Sequence, residues 1–156
     1  MRVETERFGA LEIEEQEILR FPFGLPGFEH LKEFFLLPVP RNPAFVWLQA
    51  VTEPAVAFLL ADPFLFFPDY AVDLGESEVA ALKAGGPEEL SVYVVVTIPP
   101  EGVREMTANL LAPIVLNLRS RLGLQVILDG SGYTTRHRLF REAESSTKSG
   151  RAAAAD

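Results

Sequence analysis

The sequence predicts a mainly β fold: a compact antiparallel β-barrel-like domain with one short helix. Short runs of β-branched and aromatic residues recur, turns rich in glycine and proline separate them, and helical spacing occurs in one segment only. A chain of 156 residues, 48% of them apolar, is long enough for one core. We therefore expect one domain over residues 1–141 and a disordered tail over 142–156, where the sequence is polar and small.

The first half of the chain predicts strands joined by turns. Residues 1–7 alternate in polarity and 11–13 return, which indicates an opening hairpin. Residues 21–28 hold two prolines and two glycines and predict an ordered loop with aromatic anchors. The residues expected to set the shape of this loop are Gly24, Pro26, Gly27 and Phe28. The elements expected after it are a helical turn at 29–33, a strand at 34–39 and a hairpin of 45–51 with 55–61.

The second half contains the one predicted helix, over residues 76–84. Ser77 is the expected N-cap, and Gly85 and Gly86 are expected to end the helix. Pro113 is expected to split the segment 106–117 into two strand pieces. The other expected elements are a packed aromatic loop at 62–70, strands at 71–74 and 90–98, and a last hairpin of 125–128 with 133–140.

Charge is distributed unevenly along the chain. Residues 1–118 carry 18 acidic and 7 basic side chains, a balance of −11, while residues 119–156 have a balance of +3. An acidic body repels nucleic acid phosphates and favours a basic partner. The five arginines of residues 119–141 lack the interleaved aromatic residues of a single-strand binder, so we expect them to pair with the acidic N-terminal strands. The carboxylates expected to pair with these arginines are those of Glu4, Glu6, Glu12 and Glu14.

Most kinds of catalytic and metal site lack the residues that they need. There is no cysteine, which excludes thiol nucleophiles, thiolate metal sites and disulfides. His30 and His137 are far apart in sequence and have no metal-binding spacing, so we interpret both as surface or structural histidines. A hydrolase that uses Asp62 or Asp69 is the weaker hypothesis, because each aspartate adjoins a proline as turn formers do. We expect no enzymatic activity, no cofactor and no metal.

Five blocks of sequence, in order, carry a family resemblance. They are FPFGLPGFE (21–29), PAFVWLQ (43–49), AFLLADP with FPDY (57–70), TANLLAPIVLN with GLQ (107–125), and Tyr133 with Arg136 and His137. Together they resemble the FliW family of flagellar assembly factors over residues 1 to about 140. The resemblance implies a β-barrel-like fold and a partner-switching protein of the cytoplasm. Such a protein binds flagellin and, when flagellin is scarce, antagonises the RNA-binding translational repressor CsrA. It implies no direct nucleic acid binding, no membrane association and a monomer when free.

The motif residues divide by expected role. Trp47, Phe58 and Phe64 are expected in the core. Tyr70 is expected to be exposed and to anchor a partner. Five polar side chains are harder to explain by packing, and either partner contact or the pinning of a loop from inside would account for them. They are Gln49, Asp69, Asn109, Asn117 and Gln125. The alternative function is a small-ligand or carbohydrate-binding barrel whose aromatic loops stack on a sugar.

Overall fold

The computed structural model describes residues 1–140, and within them a closed barrel of seven strands confirms the predicted fold class. The strands of the chain are β1 (Arg2–Thr5), β2 (Gly9–Glu12), β3 (Leu19–Arg20), β4 (Glu33–Pro38), β5 (Phe45–Ala50), β6 (Ala57–Ala61), β7 (Ser91–Thr97), β8 (Thr107–Ala108), β9 (Ile114–Asn117), β10 (Leu122–Gln125) and β11 (His137–Arg138). The barrel runs in the order β7-β6-β5-β4-β3-β10-β9 and closes by pairing of β9 with β7. The predicted tail at 142–156 lies outside the described residues.

Two short α-helices accompany the strands, where one was expected. They are α1 (Pro63–Phe66) and α2 (Glu76–Ala81), and three single turns of 3-10 helix occur at Glu15–Glu17, Pro87–Glu89 and Val103–Glu105. No helix of residues 1–140 is long and apolar enough to cross a membrane.

The barrel interior is filled by large apolar side chains from β3, β4, β5, β6 and β9. Phe34, Leu48, Leu60 and Ile114 have no exposed surface, and all four residues of β9 are buried. Each such side chain contributes about 1.5–3 kcal/mol on leaving water. A second cluster lies around Tyr70 and Leu82, and a third holds the β1–β2 hairpin against the barrel. The last two clusters cover the outer faces of barrel strands, which explains why those strands are apolar on both sides.

One pairing within the barrel is parallel, the one between β3 and β10. The pairing joins Leu122 to Arg20 alone, with the Arg20 N–H donating to the carbonyl of Arg121 over 2.8 Å. Phe21 follows β3 and packs against β10 so closely that a β-carbon at Gly123 would lie 2.5 Å from its ring. The absence of a side chain at Gly123 therefore allows β3 and β10 to approach closely enough to pair.

The loop at 21–28 is a run of tight turns. The Phe28 N–H donates to the Leu25 carbonyl over 2.7 Å, and Pro26 and Gly27 occupy the two central positions. Gly27 has φ +84°, so this is the proline–glycine arrangement of a type II turn. Gly24 has φ +66°, and a β-carbon there would lie 2.6 Å from the Glu29 Cα. The Phe28 ring packs edge-on against Phe58, 5.3 Å between centroids.

The helical predictions need four corrections. Residues 29–33 form turns and the start of β4 with no helical turn, and residues 62–70 contain α1 where only a loop was expected. The N-cap of α2 is Gly75, whose N–H donates to the Glu78 carboxylate over 2.7 Å, and not Ser77. Lys83 takes a left-handed φ of +56° and ends the helix before Gly85 is reached.

Two strand predictions are also wrong. Residues 71–74 form no strand and pair with none among the described residues. The last hairpin does not form, since β10 pairs with β9 while β11 pairs with β8. The opening hairpin, the hairpin of β5 with β6, the strand β7 and the break at Pro113 are confirmed.

Candidate functional site

A cleft of about 300 Å³ lies between the segment that follows α1 and the strand β11. We call it the aromatic cleft. Its walls are Phe66, Phe67, Pro68, Asp69, Tyr70, Leu110, Tyr133, His137, Arg138 and Leu139. The helix α1 sets one wall, because Asp62 caps it by accepting the Phe64 N–H over 3.1 Å and Pro63 occupies its first turn.

Tyr70 lies at the floor of the aromatic cleft, and the expectation that it is exposed is wrong. Only 6% of the residue is accessible, and its hydroxyl donates to the carbonyl of Leu110 over 2.7 Å. Burial, with a smaller contribution from Tyr133, raises the pKa of this hydroxyl well above its usual value. The Tyr70 N–H donates to the Phe67 carbonyl, and this turn directs the ring inward. Tyr70 therefore supports the cleft from below.

Asp69, the preceding residue, is exposed on the same turn and lines the cleft. It is the one residue of the six proposed partner contacts whose side chain faces solvent. Its carboxylate stands beside the aromatic walls, so a partner that enters the cleft meets a negative charge at the rim.

The opposite wall is built by Tyr133 and His137. The Tyr133 hydroxyl accepts the Ala71 N–H over 3.0 Å, and its ring lies 4.9 Å from that of Tyr70. The His137 Nε2 accepts the Thr134 N–H over 2.9 Å, so the ring proton must be on Nδ1. The structural interpretation of His137 fits this geometry. Neither residue was proposed as a site residue from the sequence, because no local pattern around them indicates contact with the segment 66–70.

Gln49 and Asn117 act inside the fold. Both are buried, and the two N–H groups of the Gln49 Nε2 are shared among four backbone carbonyls, 3.1 to 3.5 Å away, that line the turn between β5 and β6. The carbonyls belong to Ala50, Glu53, Pro54 and Val56. The Asn117 Nδ2 donates to the Leu82 carbonyl at the end of α2 over 2.8 Å, while its Oδ1 accepts the Arg119 N–H over 3.0 Å. These two amides hold the neighbouring loops by hydrogen bonds from within the core, and they are not accessible to a partner.

Asn109 and Gln125 hold the chain on either side of Pro113. The Asn109 Oδ1 accepts the backbone N–H groups of Leu111 and Ala112 over 3.1 and 3.0 Å. The Gln125 Nε2 donates to the Ala112 carbonyl over 2.9 Å. Both amides are half-buried and serve the segment 109–113, where proline removes a ladder donor.

Exposed apolar side chains border the aromatic cleft. Phe64 is 44% exposed and Leu65 is 62% exposed on the outer side of α1, so the expectation of Phe64 in the core is wrong. Trp47 and Phe58 are partly buried. A second cleft, of about 620 Å³, shares Arg138 with the first and includes exposed Ile98. Exposed apolar groups beside a cleft are typical of a protein-binding surface.

The arginines of the C-terminal part pair with carboxylates, but not with those expected. Arg119 contacts Glu89 at 3.1 Å and Arg138 contacts Glu105 at 2.8 Å. Arg121 donates to the backbone carbonyl of Glu17 over 2.7 Å. For the described arginines the predicted pairing with Glu4, Glu6, Glu12 and Glu14 is wrong, because Glu4 contacts Arg2 and Glu12 contacts the N-terminal amine instead. Arg141 lies outside the described residues.

The arrangement gives little support to the hydrolase hypothesis. Asp62 is engaged as a helix cap, and the His137 Nε2 is occupied by a backbone N–H. Among residues 1–140 no three His, Asp or Glu side chains are grouped to hold a metal ion. In the first aromatic loop of the carbohydrate hypothesis, Phe21 is buried and only Phe23, 70% exposed, offers a ring to a sugar.

Proteins with sequences similar to this chain belong to the family that its five sequence blocks resemble. The sequence model of the FliW protein family matches residues 2–139. The chain belongs to the FliW family. A relative from Moorella thermoacetica, named flagellar assembly factor FliW, is 56% identical over 96% of this chain and 94% of that protein. A relative of the same name from Syntrophomonas wolfei is 40% identical over 99% of this chain and 98% of that protein.

A solved structure of the family has the same fold. The crystal structure of the flagellar assembly factor FliW superposes with a TM-score of 0.85 and 42% identity, covering 91% of this chain and 99% of that one. In this FliW-family barrel, the family's amide residues support loops, and the accessible features are Asp69, the aromatic cleft and the exposed face of α1.

Proposed function

We propose that this protein is a flagellar assembly factor of the cytoplasm that binds flagellin and antagonises a CsrA-type RNA-binding repressor. Through these two partners it couples flagellin translation to filament assembly. The observation that carries the proposal is the full-length similarity to relatives named flagellar assembly factor FliW, at up to 56% identity over 96% of the chain.

The surface of the barrel is suited to binding proteins. Apolar side chains of α1 are exposed beside the aromatic cleft, where Phe64 and Leu65 offer contact area and Asp69 offers charge. Interfaces typically combine an apolar centre with a polar rim. Asp62, one of the two aspartates considered for catalysis, is engaged as the cap of α1. Binding without catalysis is therefore the function that this surface supports best.

Acidity supports antagonism of an RNA-binding protein. The balance of −11 over residues 1–118 places negative charge on the body of the protein. When such a body sits beside a basic RNA-binding surface, it raises the free energy of phosphate approach. It also disfavours direct binding of this protein to RNA.

Titration of this protein into a preformed repressor–RNA complex tests the proposal. We expect RNA release, with weaker release at high salt, because exposed charges are screened beyond about 8–10 Å at physiological ionic strength. A second arm measures binding to purified flagellin. RNA that stays bound at saturating protein, at low and at high salt, overturns the antagonist role. Absence of binding to both flagellin and repressor overturns the proposal as a whole.

Side-chain variants locate the contact. Leu65→Asp places a charge on the exposed face of α1, and Leu118→Asp does the same at an exposed leucine remote in sequence from the aromatic cleft. We expect the first variant to weaken partner binding by at least about tenfold and the second to leave it unchanged. Equal effects of the two variants would place the contact elsewhere than α1.

A further inference from the structure

A second groove, of about 420 Å³, lies on the other side of Tyr133 from the aromatic cleft. We call it the acidic groove. One wall is formed by Ala71, Asp73 and Glu78, and the other by the continuous segment 126–131. The second wall begins directly after β10, and the first comes from the segment between α1 and α2 and from α2 itself.

The segment 126–128 continues β10 beyond its last paired residue. Val126 and Leu128 donate their N–H groups to the carbonyls of Pro113 and Leu111, over 3.0 and 2.8 Å. Alternate residues of a strand direct their main-chain groups to opposite sides, so Ile127 directs its N–H and C=O away from that neighbour. On this other side β3 pairs with β10 at Leu122 alone, and no residue of 1–140 bonds the main chain of Ile127. Ile127 is therefore an unpaired strand edge.

The wall at 71–74 belongs to no sheet of the described residues. Its residues alternate in burial, with Val72 and Leu74 packed on the core and Ala71 and Asp73 exposed. The Ala71 N–H donates to the Tyr133 hydroxyl over 3.0 Å, which holds the segment in place. An added strand would pair with Ile127 on one side and lie against Ala71 and Asp73 on the other.

The charge of the groove selects the occupant. Asp73, Glu78 and Asp129 line it, no lysine or arginine does, and no described basic side chain pairs with Asp73 or Asp129. Proteins commonly protect an exposed strand edge with lysine or proline, and this edge has neither. Ile127, 50% exposed, adds an apolar contact at the centre. A second copy of this chain would bring carboxylates against carboxylates, and a nucleic acid would bring phosphates, so both are disfavoured.

We propose that the acidic groove binds an extended, basic segment of a protein partner by strand addition. The segment would pair its main chain with Ile127, set an apolar side chain against it, and direct lysine or arginine side chains to Asp73 and Asp129. Main-chain pairing supplies affinity in this mode of recognition, and side chains supply selectivity. The inference rests on the proposed function in one respect, that the protein acts by binding other proteins.

The test uses the full chain, labelled for NMR, and a short capped peptide that alternates lysine and valine. We expect amide shifts confined to residues 71–78 and 126–131, and no shifts with the matched peptide that has glutamate in place of lysine. Shifts spread evenly over the surface, or none at millimolar peptide, overturn the proposal. Shifts at the aromatic cleft in place of the groove also overturn it.

Variants separate main-chain pairing from charge. Ile127→Pro removes the N–H that has no partner in the fold, and proline is tolerated at such edges. We expect it to weaken peptide binding at least about tenfold. The double variant Asp73→Lys with Asp129→Lys should weaken binding to the same degree, whereas Glu88→Lys with Glu101→Lys, at exposed positions outside the groove, should not. Binding that survives both Ile127→Pro and the groove double variant overturns the proposal.

Two further readouts keep the outcome unambiguous. If Ile127→Pro fails to fold by circular dichroism, Ile127→Lys replaces it, with Leu118→Lys as the control at an exposed apolar residue that lines neither the groove nor the two clefts. The same variants are tested against flagellin and the repressor. If the groove variants bind flagellin and the repressor as well as the wild-type protein does, the proposed function holds and the groove is not the contact for these two partners. Loss of binding by wild-type protein to both partners removes the proposed function while the peptide result still decides the groove.

Discussion

The Tyr70 hydroxyl donates a 2.7 Å hydrogen bond to the backbone carbonyl of Leu110, 40 residues further along the chain. Both residues are buried, so the carbonyl has no water to replace the hydroxyl. The bond joins the turn after α1 to the segment between β8 and β9. The floor of the aromatic cleft depends on this bond.

Tyr70→Phe should lower the free energy of unfolding by about 1–3 kcal/mol, because the Leu110 carbonyl stays buried without a donor. Tyr133→Phe is the matched control. It removes a hydroxyl that accepts the N–H of exposed Ala71, where water can substitute, so its cost should stay below about 1 kcal/mol. Urea unfolding of the two variants measures the difference. Equal costs would mean that the Leu110 carbonyl finds another donor.

Substitutions of Gln49 test how much its buried amide N–H groups contribute to stability. Gln49→Met keeps the approximate volume and removes the donor to four carbonyls, which should cost about 1–3 kcal/mol of unfolding free energy. Gln49→Glu should cost more, because an ionised carboxylate only accepts and would face carbonyl oxygens.

The pH dependence of the Gln49→Glu variant has a definite sign. Burial raises the pKa of the introduced carboxyl in the folded state, so the folded state is relatively more stable below the unfolded pKa and loses stability as the pH rises. Thermal unfolding at pH 4 and pH 7, below and above the unfolded glutamate pKa of about 4.3, compares it with Gln49→Met. A gap between the variants that widens at low pH would contradict this placement of Gln49.

Gly24 and Gly27 separate two costs of a β-carbon within one loop. Both have positive φ, but a β-carbon meets the Glu29 backbone at position 24 and nothing within 4 Å at position 27. Gly27→Ala should therefore cost about 1–2 kcal/mol of unfolding free energy from backbone strain alone. Gly24→Ala should add a further penalty of about 1–3 kcal/mol from overpacking. Denaturant unfolding of both variants is the measurement, and similar values would contradict the close approach of Glu29.

The buried tyrosines predict loss of stability in alkali. Burial raises the pKa of Tyr70 and of Tyr93, the latter with a smaller contribution from Asp62. Between the unfolded pKa of about 10 and the folded values, the unfolded chain releases protons that the folded chain keeps, so stability falls as the pH rises. Unfolding measured from pH 8 to about pH 11 follows this fall. Phenolate absorbance at 295 nm that rises with an ordinary tyrosine titration, before unfolding, would contradict it.

Much of the barrel was predictable because its strands carry local signals. The run SVYVVVT of β7 is β-branched almost throughout, and Pro113 marks a break that no central ladder tolerates. The end of α2 was not predictable, because a lysine with φ +56° has no sequence signature when two glycines follow it. The pairing of β10 and β11 with different neighbours depends on contacts far along the chain, which a hairpin pattern does not contain.

The sequence indicates which residues belong to the site, but it does not indicate whether their side chains face the core or the solvent. The motif around Asp69 and Tyr70 indicates a turn, yet the residue pattern does not say which side chain enters the core. The sequence leaves open whether Gln49 and Asn117 contact a partner or hold a loop. Their hydrogen bonds to backbone carbonyls show that both hold loops within the fold. Tyr133 and His137 meet the 66–70 segment only after the whole barrel has formed, so sequence proximity could not indicate them.

The single pairing of Leu122 with Arg20 has a consequence for synthesis of the chain. The paired residues are about 100 positions apart, so ordering the intervening chain is entropically costly before this contact forms. The meander of β4, β5 and β6 is local and should form early, whereas closure must wait until β10 has left the ribosome. Until then Phe21 lacks the cover of Gly123, and a chain stalled before residue 122 exposes an open, apolar barrel to aggregation.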